Sequence, residues 1–215
     1  MIDTAALSQS VVSSKEPHMS HAAALPAATQ PRVLADLLSR TRVRDAVLVL
    51  AAALFTALCA QISFPLPGSP VPVTGQTFAV LLTGAALGAT RGASGQLLYV
   101  ALGLTGLPFY ADGESGAQVV FGATGGYLVA FPLAAWICGK AAELRFDRSP
   151  LKALPVFAVG TLVVFLVGVP WLAVAAETDL TTAIDLGFTP FILGGIVKAA
   201  LAAGLLPALW RFNRR

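Results

Sequence analysis

Six apolar runs, at about 45–64, 76–90, 93–107, 121–141, 153–175 and 188–210, fill most of the chain, and they are interrupted mainly by glycine, proline and short charged clusters. A helix lying on a water-soluble core shows a regular polar face; these runs show none. Their solvent is therefore lipid, in which each segment must satisfy its own backbone N–H and C=O groups, and helices do so. Only 12% of the residues are charged and mean hydropathy is +0.78, against about a quarter charged in soluble domains. The expected fold class is an all-α integral membrane protein.

Spanning the hydrocarbon layer takes about 20 helical residues, so the second and third runs are short. They are two spans helped by flanking residues, a re-entrant hairpin or one broken helix. Charge selects among these, because Lys and Arg concentrate in cytoplasmic loops while acidic residues have little influence. With six transmembrane helices, thirteen of the fourteen Lys and Arg residues fall on one face: Lys15 to Arg44 before the first span, Arg91 between the second and third, Lys140 to Lys152 between the fourth and fifth, and Arg211 to Arg215 at the end. The opposite loops hold only acids, Asp112 and Glu114, then Glu177, Asp179 and Asp185. A multi-pass protein of the cell inner membrane with both termini cytoplasmic follows. Residues 1–43 are expected as a disordered cytoplasmic tail and 44–215 as the six-helix membrane domain; Met1 to Ser14 carries Asp3 and lacks the apolar run of a secretory signal.

The remaining cation, Lys198, lies inside the last run, ten residues from Phe188 and so about 15 Å deep. A charge at that depth costs at least about 2.5–3.5 kcal/mol and is expected to face the protein interior with a partner or a role. Apart from Asp45 at the very edge of the first, no Asp or Glu lies within another apolar run, so an anion brought by a ligand is the expected partner, a carboxylate being the natural match for a compact ammonium. Capping of carbonyls at a helix break, or an uncharged Lys198, are the alternatives.

Several chemistries are excluded. The histidines, His18 and His21, are both in the N-terminal segment, so no membrane-embedded triad, zinc site or histidine relay can be built. No GxxxxGK[ST] phosphate loop occurs and no span holds a carboxylate of the kind proton-coupled pumps use. Active transport would need energy from another subunit. Cys59 and Cys138 lack metal-ligand spacing and are expected at opposite membrane faces as packing residues. No catalytic residue, metal, cofactor or nucleic-acid partner is expected; membrane lipid is.

Gly84, Gly88 and Gly92, and likewise Ala53 and Ala57, are spaced by four and make flat stripes for close helix packing, internal for the glycines. The proline-rich segment Pro65 to Gln76 reads as a stiff, extended external loop. The segment Gly106 to Gly126 mixes aromatics with glycines in the manner of a loop closing over a pocket, or of an ordinary connector.

Four ordered motifs, Pro70-Val-Pro-Val-Thr-Gly-Gln76, Gly103-Leu-Thr-Gly-Leu-Pro-Phe109, Gly122-Ala-Thr-Gly-Gly-Tyr-Leu128 and Gly194 to Lys198, resemble those of the BioY-type biotin transporters over about residues 44–211. The resemblance implies a six-helix S-component-like bundle of an energy-coupling-factor (ECF) transporter, which binds biotin from outside and works with a transmembrane coupling protein and two ATPase subunits. It implies that Lys198 contributes to the biotin site, that the loop between the third and fourth helices covers it, and that Ala53 and Ala57 supply the coupling-protein contact. Some members start the last motif Pro-Gly-Asp where this chain has Leu193-Gly194-Gly195, which removes an acidic partner at Gly195. Gln76, Gln118 and Thr124 are the candidates for the ureido edge, and Tyr99, Phe109 and Tyr127 for the apolar ring and tail. Rival readings are an S component for another small carboxylate vitamin, a stand-alone facilitator, and a membrane enzyme on lipid or isoprenoid substrates, for which Asp-rich or histidine motifs are missing.

Overall fold

The structure, a computed structural model, describes residues 32–38 and 41–212. Most of the stretch expected as a tail, residues 1–31 and 39–40, lies outside the described residues. Its last part does not behave as a tail. Residues Leu34–Leu37 form a 3-10 turn whose flanking Val33 and own Ala35 are 2% and 4% exposed, packed in one cluster with Leu81, Ala142 and Phe157. The folded unit therefore starts before residue 44, because this short apolar segment has a place to bury its side chains.

Among the described residues eight α-helices follow: α1 (Arg42–Ala60), α2 (Gln76–Leu87), α3 (Ala89–Leu104), α4 (Ala117–Val120), α5 (Gly125–Glu143), α6 (Pro150–Ala175), α7 (Leu180–Gly187) and α8 (Ile192–Phe212). The strands β1 (Ser63–Phe64) and β2 (Val73–Thr74) pair antiparallel, Ser63 opposite Thr74. Helix α5 is central, packed on α2, α3 and α6, with α1 against α3 and α8 against α6 and α2. Among the described residues, four helical stretches are long and apolar enough to cross a membrane: α1, α5, α6 and Leu180–Phe212. At about 1.5 Å per residue α2 and α3 reach only about 18 and 24 Å, short of the roughly 30 Å hydrocarbon layer.

Gly88 joins α2 to α3 with φ +88°, a left-handed conformation open to glycine. Just beyond it, a Cβ on Gly92 would lie 2.6 Å from the Gly84 Cα, and Gly84 itself sits against the Ala135 backbone. The glycine stripe thus serves internal packing, the use expected of it. Ala53 and Ala57 are 0% and 7% exposed, and this corrects the expectation that they face a coupling protein: α1 turns that stripe inward. Its outward face carries Val43, Val47, Leu50, Leu54 and Leu58 instead.

The cations gather at one end. Arg91 pairs with Asp45 (3.0 Å) and Asp36 (3.5 Å), and Glu143 accepts from the Ala89 amide (3.0 Å) while pairing with Lys140 (3.1 Å). At the same end the Trp210 indole donates to Asp147, whose buried carboxyl is pushed above the ordinary carboxylate range chiefly by desolvation. The opposite end is made of the β hairpin, the 106–124 segment and α7.

Candidate functional site

Three short pieces of chain converge at that second end, each held by specific bonds. The β hairpin folds the proline-rich loop back on itself, and Ser69 Oγ at its tip donates to the Leu186 carbonyl of α7 (2.8 Å). Tyr110 drops its ring into the bundle and donates to the Val100 carbonyl (2.7 Å); desolvation raises its phenol to about 12. Gln61 Nε2 donates to the Tyr110 carbonyl (3.1 Å) and Ser63 Oγ to Asp112 (3.1 Å), which tie the two loops together. Asp179 caps α7, accepting from the Thr182 amide (3.0 Å) and hydroxyl (2.6 Å), and these bonds hold its carboxyl below the usual range. The sequence reading missed α7: its eight residues follow Asp179 and include Asp185, in what read as a loop.

Beneath these pieces lies a cavity of about 340 Å³, inside the range of about 300–1,000 Å³ for small-molecule sites. Pro65, Pro70 and Pro72 cover it, and α2, α5, α6 and α8 form its walls. One wall is aromatic: the Phe165 ring meets Tyr127 edge-on (6.1 Å between centroids) and is tilted against Phe191 (6.1 Å), and all three line the space. The glycines of the 122–126 motif permit this wall. A Cβ on Gly126 would lie 2.6 Å from Trp171 Cγ, and the Trp171 indole donates to the Gly122 carbonyl (2.9 Å).

Lys198 projects into the cavity wall from α8, its Nζ donating to Thr77 Oγ1 (3.1 Å) at the start of α2. Pro190 stands in a 3-10 turn, Thr189–Phe191, so α8 begins at Ile192 and not at Phe188. Lys198 is therefore six residues, about 9 Å, from the start of α8. Thr77 is a neutral partner; among the described residues no carboxylate forms an ion pair with Lys198.

Of the other residues singled out from sequence, Gln76, Gln118, Thr124 and Tyr127 line the cavity. Gln76 is oriented by its neighbours: Thr74 Oγ1 donates to its Oε1 (2.8 Å) and its Nε2 donates to Tyr99 (2.5 Å), leaving one amide N–H for a ligand. Gln118 is exposed at the mouth, Thr124 makes only a long bond to the Val119 carbonyl (3.5 Å), and the Tyr127 hydroxyl is taken by the Gly187 carbonyl (2.9 Å), leaving its ring to the cavity. Tyr99 and Phe109 do not line it. Tyr99 is 0% exposed behind the wall, edge-on to Tyr110 (5.8 Å), where it holds Gln76; Phe109 packs on the core beneath its loop. Sequence reasoning missed Thr77, Tyr110, Phe165 and Phe191. Phe165 and Phe191, inside apolar runs, look like any core residue, Tyr110 was one aromatic of the 106–126 loop, and Thr77 had no signal until Lys198 stood opposite it.

A helical membrane protein with one cation in the wall of a closed-over, part-aromatic cavity is built to hold a small amphipathic anion. The chain belongs to the BioY family, whose model matches residues 28–215. It is 34% identical to the biotin transporter BioY2 of Lactococcus lactis, over 82% of this chain and 98% of that one. It is 39% identical to the biotin transporter BioY of Thermotoga maritima, over 71% and 89% respectively. A crystal structure at 2.1 Å, of the S-component for biotin from an ECF-type ABC transporter, has the same fold, with a TM-score of 0.65 at 24% identity over 80% of this chain and 95% of that one.

Proposed function

We propose that this chain takes up biotin, binding it in the cavity beside Lys198 as the substrate-specific subunit of an ATP-powered transporter. The observation that carries the reading is Lys198 itself: an ammonium in the wall of a part-apolar cavity with only a neutral hydroxyl for company. A carboxylate there completes a charge pair, while the Tyr127, Phe165 and Phe191 rings flank the apolar ring and tail. The ureido edge then meets Gln76, Gln118 and Thr124.

The membrane topology in this reading has six spans, with α2 and α3 as a paired hairpin completed by the β hairpin and flanking residues, and both termini on the cytoplasmic side of the inner membrane. The clustering of Arg91, Lys140 and Arg148 with the start of α1 and the end of α8 supports it. The cavity then opens outward, and the proline-rich loop and the 106–124 segment act as its cover. Without a phosphate loop of its own, the chain depends on a transmembrane coupling protein and two ATPases for release into the cytosol, the coupling protein docking on a face other than Ala53 and Ala57.

Uptake of labelled biotin by cells that lack their own biotin uptake tests this. Accumulation that requires both this chain and an ECF module is the expected result. Accumulation with this chain alone would favour a stand-alone facilitator, and none in either case would refute the reading.

A further inference from the structure

The half-buried Thr161 differs from the threonines fully buried in the bundle. The Thr56 and Thr83 hydroxyls donate to the carbonyls one turn back, Ala52 (3.0 Å) and Ala79 (2.7 Å), the usual way a helix silences a threonine. Thr161 Oγ1, midway along α6, is buried with no hydrogen-bond partner among the described residues. It lines the cavity together with Gly195 and Lys198, which lie three apart and so share one face of α8. Gly195 offers no side chain there, and a Cβ at that position would lie 3.3 Å from Thr161 Cγ2. Thr161 is thus the polar side chain that α6 presents toward the Gly195 and Lys198 face.

We propose that the Thr161 hydroxyl is a ligand-binding group, donating to the second oxygen of the carboxylate that Lys198 holds; the proposal rests on the biotin reading above. A carboxylate presents about four acceptor sites on its two oxygens, and Lys198 keeps two N–H groups once Thr77 takes one, so a further donor has a place on the second oxygen. A threonine in a helix populates two χ1 wells, and a change of well re-aims the hydroxyl. An unbonded buried hydroxyl is a cost in the empty protein that the ligand removes.

Affinities of purified wild type, Thr161→Val and Thr161→Ser for biotin and for biotin amide, with thermal midpoints measured without ligand, test the assignment. Valine keeps the shape and deletes the hydroxyl. The expected result is biotin binding weakened about tenfold or more in Thr161→Val, recovery in Thr161→Ser, amide binding changed less than about threefold, and a midpoint unchanged or raised. Wild-type affinity in Thr161→Val, equal losses for biotin and amide, or a lowered midpoint accompanying the loss would each overturn the assignment. Failure of the wild type to bind biotin removes the reading it rests on as well.

Discussion

Replacing Lys198 by alanine should cost biotin binding about a hundredfold. In the structure the ammonium has one neutral partner, Thr77 Oγ1 at 3.1 Å, and faces a cavity whose walls are largely apolar. Two unit charges 4 Å apart at an effective dielectric of 20 attract by about 4 kcal/mol, and part of that is lost to desolvation of both groups. Removing one partner of a buried, hydrogen-bonded charge pair costs about 2–5 kcal/mol, much of it from the charge left alone. Taking about 3 kcal/mol and 1.4 kcal/mol per decade gives the hundredfold figure. Calorimetric titration of both proteins in detergent measures it, with biotin amide as the internal control. The amide carries no charge, so the wild type should bind it far more weakly than biotin and Lys198→Ala should bind the two about equally. A loss under about threefold for biotin, or a proportional loss for the amide, would show that Lys198 does not hold the carboxylate.

Gly126→Ala places a methyl group 2.6 Å from Trp171 Cγ, and overpacking of this kind should lower stability by about 1–3 kcal/mol, read as a fall in the thermal midpoint. Asp179→Ala removes the α7 cap, worth about 0.5–2 kcal/mol. Because α7 anchors Ser69 and Tyr127 through the Leu186 and Gly187 carbonyls, biotin should dissociate faster in that variant, with a fall of a few degrees in the midpoint. Asp147 has a folded-state pKa raised above 3.8, so its share of stability is present when protonated and is lost as pH rises through the raised value. Asp147→Asn should therefore flatten the dependence of the midpoint on pH in the window that begins near that ordinary value and extends upward.

The helical bundle was legible in the sequence because lipid leaves the backbone few options, and the charge sorting that predicted one basic end reappears as the Arg91, Glu143 and Asp147 contacts. Register and facing were not legible. Spacing by four marks a stripe but not which way it looks: the family resemblance implied an outer contact at Ala53 and Ala57, which α1 buries, while the similar glycine stripe did pack inward. The acids Asp179 and Asp185 made 180–187 read as a loop where α7 stands, and hydropathy did not separate the turn at Pro190 from α8, because both are apolar. At the site, Lys198 announced itself by being out of place in an apolar run. Tyr99 and Phe109 did not differ in pattern from Tyr127, and only the packing separates a residue behind the wall from one in it.

The central claim is that the cavity beside Lys198 holds biotin, and equilibrium binding of labelled biotin to the purified wild-type chain without partner subunits tests it most directly. Saturable binding of one biotin per chain is expected, displaced by unlabelled biotin and poorly by biotin amide. Absence of saturable binding, or displacement by the amide as effective as by biotin itself, would contradict it.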